Sequence, residues 1–334
     1  MENITERSWH MYSNTRTEPM QLKALKALKR RLPPNHLSLN KIEEKISILE
    51  SGFHGENFFD QFTSHVLSPR CLNLRNITLP AFSETIQIDS LFITPSFILI
   101  CEIKNIKGNL HFDKKGGSLS RVVNGKEEYF SCPVTQVERH KEGIEVLLKN
   151  LNVKIPVIEM VVFTNSQVKF TVRSDEQSIY NQITRIESVT RKMRELKLLY
   201  RVQVLDQKGV KELWTKIMNK SLTPYWKDVR SPYSIEENEL IRGVLCIKCD
   251  KGTVLNYGKW CCQSCGHSNK ENFLESVTDY FLLIKDSCSI KDLRNFLDID
   301  SSRKALEWMY KFNFQSKEGS RPSVFFSPMY VKKT

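Results

Sequence analysis

The chain has 334 residues, 40% of them hydrophobic, with 50 Lys and Arg against 38 Asp and Glu and a formal charge of +12. That length suits two or three domains, and the positive excess favours a polyanionic partner, nucleic acid being the simplest. No run of about 18 apolar residues occurs, which excludes a membrane-spanning helix, and the polar start MENITERSWHMYSNTRTEP lacks the apolar stretch of a secretory signal, so the chain is expected in the cytoplasm.

Residues 1–38 read as a polar tail followed by a basic helix. Little order is predicted for residues 1–19. In MQLKALKALKRRLPP, Leu22, Leu25, Leu28 and Leu32 recur near helical spacing, with Lys23, Lys26, Lys29, Arg30 and Arg31 between them, and Pro33-Pro34 stops the helix. Such a basic face either touches nucleic acid or, more commonly, is the solvated side of a packed helix. A second helix is predicted from Leu39 to about Ser51. Gly52 and Gly55 are expected to break the chain before a third, in SGFHGENFFDQFTSHVL.

From residue 70 the period changes to that of strands. Residues 74–80, 86–93 and 97–104 are three β-rich runs, and RVVNGKEEYF (121–130) predicts a hairpin around Asn124-Gly125. A helix is predicted over 133–150, with Val137, Ile144, Leu147, Leu148 and Leu151 on its apolar stripe. A buried strand follows over 155–165, then helices over 184–200 and 207–219. This order implies a mixed α/β domain over residues 39–222. SLTPYWKDVRSPYS (221–234) is a Pro-containing connector.

The run FILICEIKN places Glu102 and Lys104 in what is otherwise a buried strand, where charges are costly unless paired or bound. The pattern of an acid, any residue and Lys also begins at Glu43, Asp113, Glu195 and Asp206, so the triplet alone says little, and its setting carries the meaning. On a strand Ile98, Ile100, Glu102 and Lys104 share one face, and Phe97, Leu99, Cys101 and Ile103 the other. A four-residue loop from Thr94 to Phe97 would pair Ile93 with Ile98, Leu91 with Ile100 and Asp89 with Glu102. Two carboxylates so close favour a shared proton or a bound cation. Mg²⁺ takes oxygen ligands, often one or two carboxylates with waters and phosphates, and Lys104 stands where it could orient water or hold phosphate. That chemistry is metal-assisted phosphodiester hydrolysis. The plainer alternative is an Asp89–Lys104 ion pair with Glu102 in solvent.

QIDSLFITPSFILICEIKNIKGNL resembles the core of the NERD (nuclease-related) domain, within the PD-(D/E)xK, restriction-endonuclease-like superfamily. KRRLPPNHLSLNKIEEKISILESGFHGENFFD, with its Gly55-Glu56 pair, is similar to the lead-in of such proteins, and PVTQVERH and PVIEMVVFTN match the helix and strand that follow. The resemblance covers about residues 22–165. It implies a restriction-endonuclease-like mixed sheet flanked by helices and a metal-dependent nuclease. Asp89 and Glu102 would bind Mg²⁺ or Mn²⁺, Lys104 would be the catalytic lysine, Glu56 a third acidic site residue and Gln136 a neighbour on the later helix. The superfamily's usual Pro before the first acid is absent, since Ile88 precedes Asp89. A catalytically silent nuclease fold serving as a nucleic-acid-binding or adaptor protein is the alternative.

Nine cysteines, five of them between 246 and 265, argue against a disulfide framework and for one local metal cluster. Cys246-x₂-Cys249, twelve residues and Cys262-x₂-Cys265 is a four-thiolate pattern for one structural Zn²⁺, and residues 235–270 resemble a zinc ribbon. Gly252 and Gly266 are expected to supply positive φ after the two turns. Cys261 is spare, and His267 is not needed as a ligand. Residues 271–334 read as a helix-turn-helix or winged-helix-like module. Ser289 with Asp292, and one of Asp300, Ser301 or Ser302, suit helix starts, Arg303 and Lys304 fall early on the second helix, and a wing has its tip at Lys317-Glu318-Gly319. The expected partners are nucleic acid, with DNA foremost, and proteins through the ribbon or the C-terminal module; no membrane is expected.

Overall fold

The computed structural model describes residues 16–66, 70–123, 125–222, 227–314, 316 and 324–329. The chain divides into two compact units, residues 1–17 with 51–222 and residues 18–50 with 223–334. Residues 1–15 of the tail, Asn124 of the predicted hairpin turn, residues 223–226 of the connector and the wing tip 317–319 lie outside the described residues.

Two helices come first, α1 (Met20–Arg30) and α2 (Leu39–Thr63). The first unit holds the end of α2, then strands β1 (Leu72–Ala81), β2 (Glu84–Ile93), β3 (Ile98–Lys104), β4 (Gly108–Asp113), β5 (Ser118–Val123) and β6 (Lys126–Ser131), then helix α3 (Pro133–Asn150). After it come β7 (Val157–Phe163), β8 (Val168–Val172), the short α4 (Ile179–Gln182), β9 (Ile183–Arg185), α5 (Ile186–Leu199) and α6 (Gln207–Lys220). One sheet has the order β1-β2-β3-β7-β9 and a second the order β6-β5-β4-β8. In the first sheet β1, β2 and β3 run antiparallel, while β3, β7 and β9 run parallel. It is therefore a mixed sheet, with a helical layer on each face. On one side Ile98 and Ile100 of β3 join Val137 and Ile144 of α3 and Leu213 of α6 in a core. On the other Leu99, Cys101 and Ile103 join Phe59 of α2 and Val189 and Met193 of α5. A strand covered on both faces reads as a continuous apolar run, which explains FILIC. The face assignment expected for β3 holds.

The register holds over two of the three expected pairs, and the ladder stops before the third, Asp89 with Glu102. Ile93 pairs with Ile98 and Leu91 with Ile100, and the loop closes through Thr94, whose amide donates to the Phe97 carbonyl at 3.0 Å. Val123 pairs with Lys126 across a two-residue turn, with Gly125 at φ 75°. Sequence reading missed β4 and β8, which pair with each other in parallel. They are short strands of ordinary alternation, and only their partners distinguish them from loop.

The break expected at Gly52 and Gly55 is not there, because α2 is continuous from Leu39 to Thr63. A Cβ on Gly52 would meet open space, whereas one on Gly55 would lie 2.6 Å from Thr164 Oγ1 and 2.7 Å from Asn105 Cβ. Gly55 lets the helix approach the ends of β3 and β7 closely; it does not end the helix.

The second unit holds α1, the ribbon strands β10 (Thr253–Asn256), β11 (Lys259–Cys262) and β12 (Ser268–Asn269), helix α7 (Glu271–Leu283), β13 (Ser287–Ser289), α8 (Ile290–Leu297), α9 (Ser302–Lys311) and β14 (Val324–Phe326). Its core includes Leu22, Leu25 and Leu28 of α1 with Trp260, Phe273, Phe281 and Trp308. The cations of α1 are largely paired: Lys26 with Glu18 and Glu50, Lys29 with Glu43, and Arg30 with Glu275 and Asp279. The fully buried Arg31 donates to Asp279 and to the carbonyls of Ile241 and Gly243. Ser289 and Asp292 form a capping box on α8, and the Ser301 hydroxyl accepts from the Lys304 amide to cap α9. β13 and β14 pair antiparallel.

The two glycines of α2 make a paired prediction. Gly55→Ala is expected to destabilise by about 1–3 kcal/mol through overpacking, while Gly52→Ala is expected to stabilise by about 0.5–1 kcal/mol through helix propensity. Urea unfolding curves of the two variants would show midpoint shifts of opposite sign.

Candidate active site and cysteine cluster

The ladders of the first sheet stop at one place. The β1–β2 pairing runs to Arg75 with Ser90 and resumes at Ile77 with Ile88. The skipped residues are Asn76, with φ 49°, and Asp89. Asn is among the few side chains that adopt this conformation readily. The irregularity shifts the inward alternation of both strands by one, so that Leu72 and Leu74, then Ile77 and Leu79, enter the same core. The β2–β3 pairing ends at Ser90 with Cys101, one step short of Asp89 and Glu102. The Ile103 amide donates instead to Asp89 Oδ2 at 2.8 Å. A carboxylate thus completes the ladder where the backbone leaves off.

Glu102 is 2% exposed. Its Oε1 lies 2.7 Å from Lys104 Nζ, and Lys104 Nζ also donates to Gln136 Oε1 at 3.2 Å. Gln136 and His140 are one turn apart on α3, so both face β3. His140 Nδ1 stands 3.6 Å from Glu102 Oε2, and among the described residues neither buried atom has a hydrogen-bond partner. Glu56 and Asp60, likewise one turn apart on α2, close the other side around Arg16. Arg16 Nη1 donates to Glu56 Oε2 at 2.5 Å and to Asn76 Oδ1 at 3.0 Å. Its Nε and Nη2 donate to the two Asp60 oxygens at 2.8 and 3.2 Å, and Nη2 also reaches the Asp89 carbonyl at 3.0 Å. Asn76 Nδ2 donates to Glu56 Oε2 at 3.2 Å, and Arg75 lies 3.0 Å from Asp60.

Electrostatics follow from this crowding. Burial, then the charges of Glu102 and Glu56, push the Asp89 carboxyl well above its ordinary range. Burial raises Glu102 as well, against the opposing pull of Lys104. Burial works against the Lys104 ammonium, but Glu102 and Asp89 hold its pKa above the usual value. His140 is pushed down to about 4 by burial and by Lys104 and is neutral at physiological pH. Two buried carboxylates that resist ionising, one with an unfilled oxygen, fit a hard divalent cation, which would neutralise both.

All five residues singled out from sequence therefore gather at one end of the sheet. Lys104 pairs with Glu102, so the alternative Asp89–Lys104 pair with a solvated Glu102 is not what forms. Sequence reading missed Arg16, Asp60, Asn76 and His140. Asp60 and His140 were within reach of helical spacing from Glu56 and Gln136; Arg16 carries no local signal. Asn105, just past β3, donates to the Ser51 carbonyl at 2.8 Å.

Residues 51–164 match the family model of the nuclease-related domain, NERD. Residues 51–164 are thus similar to the nuclease-related domain. Asn76, Asp89, Glu102, Lys104, Gln136 and His140 all lie inside the matched segment, as do Glu56 and Asp60. An uncharacterized protein of Bacillus anthracis is 26% identical over 160 residues, 46% of this chain and 74% of that one. No solved structure matches the chain. No helix among the described residues is long and apolar enough to cross a membrane.

In the second unit Cys246, Cys249, Cys262 and Cys265 bring their sulfurs within 4.8 Å of one another. Neighbouring sulfurs are 3.4–3.7 Å apart, close to the roughly 3.8 Å edge of a tetrahedron with Zn–S bonds of about 2.3 Å. Backbone amides of Cys265 and Ser264 help draw Cys262 down to about 6, while Cys246 and Cys249, which share hydrogen bonds with the other sulfurs, are raised. The residue after each pair is left-handed: Gly266 at φ 72°, as expected, but Asp250 at φ 57° in the first turn, where Gly252 had been expected. The turn closes one residue after the second Cys, and Gly252 already lies on the bridge to Leu245. Cys261 points away, 3.1 Å from Ser268 Oγ. The cluster is consistent with a zinc ribbon.

Because Asp89 holds its proton more tightly in the folded chain than in the unfolded one, stability falls as pH rises from the ordinary carboxylate range through the raised value. Asp89→Asn keeps an acceptor for the Ile103 amide and removes the charge. In metal-free buffer at neutral pH it is expected to raise the melting temperature by about 2–4 °C per kcal/mol recovered, a gain that shrinks in acid. Differential scanning calorimetry at two pH values checks this, and a melting point at or below wild type at neutral pH contradicts it. For the cluster, about one equivalent of zinc is expected in purified protein and its loss in Cys246→Ser, read by atomic emission.

Proposed function

We propose that the NERD domain is a metal-dependent nuclease that hydrolyses phosphodiester bonds of nucleic acid, with DNA the first substrate to test. The observation that carries this reading is that Asp89 of β2 and Glu102 of β3 stand just past the end of the β2–β3 ladder, with Lys104 paired to Glu102. Asp89 and Glu102 would hold Mg²⁺ or Mn²⁺, which would supply Lewis acidity and a more nucleophilic water there. Lys104, charged and held by Glu102 and Gln136, presents its remaining proton to the attacking water or to a phosphate oxygen. Gln136 fixes the direction of that ammonium. Neutral His140 flanks Glu102 without adding charge. Glu56 forms the acidic wall opposite, tied to Arg16 and Asn76. The cysteine cluster holds one structural zinc, since all four positions are filled by thiolates and none is left for water. The ribbon and the C-terminal module supply additional grip on nucleic acid or on a protein partner, and the chain works in the cytoplasm.

The test is incubation of purified protein with plasmid and linear DNA, and with RNA, in Mg²⁺, Mn²⁺ or EDTA. Cleavage is expected with either metal and not with EDTA. Asp89→Ala and Glu102→Ala are expected to abolish it, and Lys104→Met to slow it by about 10²–10³-fold, as for loss of one positioned charge in an active site. Binding without cleavage under every condition, unchanged in Asp89→Ala, favours the silent adaptor.

A further inference from the structure

Arg16 sits in the acidic site in a way that metal ligation by Asp89 and Glu102 does not require. Its side chain is 2% exposed. A guanidinium has five N–H donors, and all five are used: one from Nε to Asp60, two from Nη1 to Glu56 and Asn76, two from Nη2 to Asp60 and the Asp89 carbonyl. No donor is left for a phosphate oxygen, so Arg16 is not placed to grip substrate. Its acceptors are instead the two carboxylates, Glu56 and Asp60, that would otherwise be free to ligate a second divalent ion. Asn76 Nδ2 donates to the same Glu56 oxygen that Arg16 holds, and Arg75 adds a further cation to Asp60. Among the described residues, Arg16, Arg75 and Lys104 stand against the acids Glu56, Asp60, Asp89 and Glu102. A second divalent ion would face a guanidinium already bound to its ligands.

We infer that Arg16 is a built-in cation that occupies the place of a second metal ion, so that the site takes a single divalent ion on Asp89 and Glu102 while Glu56 and Asp60 serve Arg16. The inference rests on the proposed nuclease reading for the identity of the first two ligands. It makes Arg16 a positioning residue. It also separates this centre from two-ion sites, in which metals about 3.5–4 Å apart clamp both the attacking and the leaving oxygen.

The experiment is Mn²⁺ titration of the full-length, zinc-loaded protein, with free Mn²⁺ followed by electron paramagnetic resonance. Glu102→Gln supplies the background from surface sites. Wild type is expected to bind one Glu102-dependent ion, and Glu56→Gln is expected to weaken it by well under about tenfold. Arg16→Ala, shown folded by circular dichroism, is expected to bind a second ion that Arg16→Ala with Glu56→Gln loses again. Two Glu102-dependent ions in wild type overturn the inference. So does weakening by about tenfold or more in Glu56→Gln, the loss that follows when a ligand or its direct support is removed. A folded Arg16→Ala that still binds one ion overturns it as well. If Arg16→Ala does not fold, the wild-type stoichiometry and Glu56→Gln decide the matter alone. Binding that is identical in wild type and Glu102→Gln removes the metal site itself, and the inference with it; the other adverse outcomes leave the metal site standing.

Discussion

Charge buried at the end of a core strand is the constraint around which the first unit is organised. β3 is covered by helices on both faces, yet Glu102 lies within it at 2% exposure. A carboxylate there loses its hydration and must recover it from protein groups. Lys104 supplies the counter-charge, and Gln136 holds Lys104 in place. The second acid, Asp89, replaces a missing ladder bond by accepting the Ile103 amide. The third and fourth, Glu56 and Asp60, are taken up by one guanidinium. Among the described residues, Glu102 Oε2 and His140 Nδ1 face each other with no hydrogen-bond partner, which leaves an opening in the network. Sites that carry chemistry are commonly where such openings and raised carboxyl pKa values collect.

Backbone irregularity is what makes this arrangement possible. Had β1 and β2 kept regular alternation, Asp89 would have continued the ladder with β3. The paired departure at Asn76 and Asp89 ends the ladder there and frees the Asp89 carboxylate to turn along β3. Asn76 then serves twice, in its left-handed backbone and in the two hydrogen bonds of its amide to Arg16 and Glu56. The close approach of α2 at Gly55 belongs to the same construction, since a side chain there would push Glu56 and Asp60 away from the strand ends.

In the second unit the problem is scale. A three-stranded ribbon of four-residue and two-residue strands cannot bury much of its own surface. It leans on Trp260, which packs against Phe273 and Trp308, and on four sulfurs set at tetrahedral spacing. Binding of a structural metal is folding free energy in such a module.

Local chemistry was legible in the chain wherever a short spacing encodes it. The Cys-x₂-Cys pairs, the capping box at Ser289, the hairpin between β5 and β6, and the continuous apolar run of β3 were all readable. So was the loop length that sets Leu91 opposite Ile100, although the Asp89–Glu102 pair expected next in that register does not form. Each depends on residues a few positions apart, whose geometry the backbone nearly dictates. Glycine was the misleading signal, because its absent Cβ serves a helix break or a close approach equally well. Only the neighbours of Gly55, and the turn geometry that put Asp250 rather than Gly252 in the left-handed position, tell the two uses apart. The parallel pairing of β4 with β8 and the shift at Asn76 needed the assembled sheet. Arg16 is the extreme case. It lies 40 residues from Glu56 and 44 from Asp60 in sequence, and nothing local marks it. The sequence by itself determined which residue types could bind metal and on which strands they stand. Tertiary structure alone decided which cation neutralises which acid, since that pairing is set by distances in space and by the low dielectric of the surrounding core.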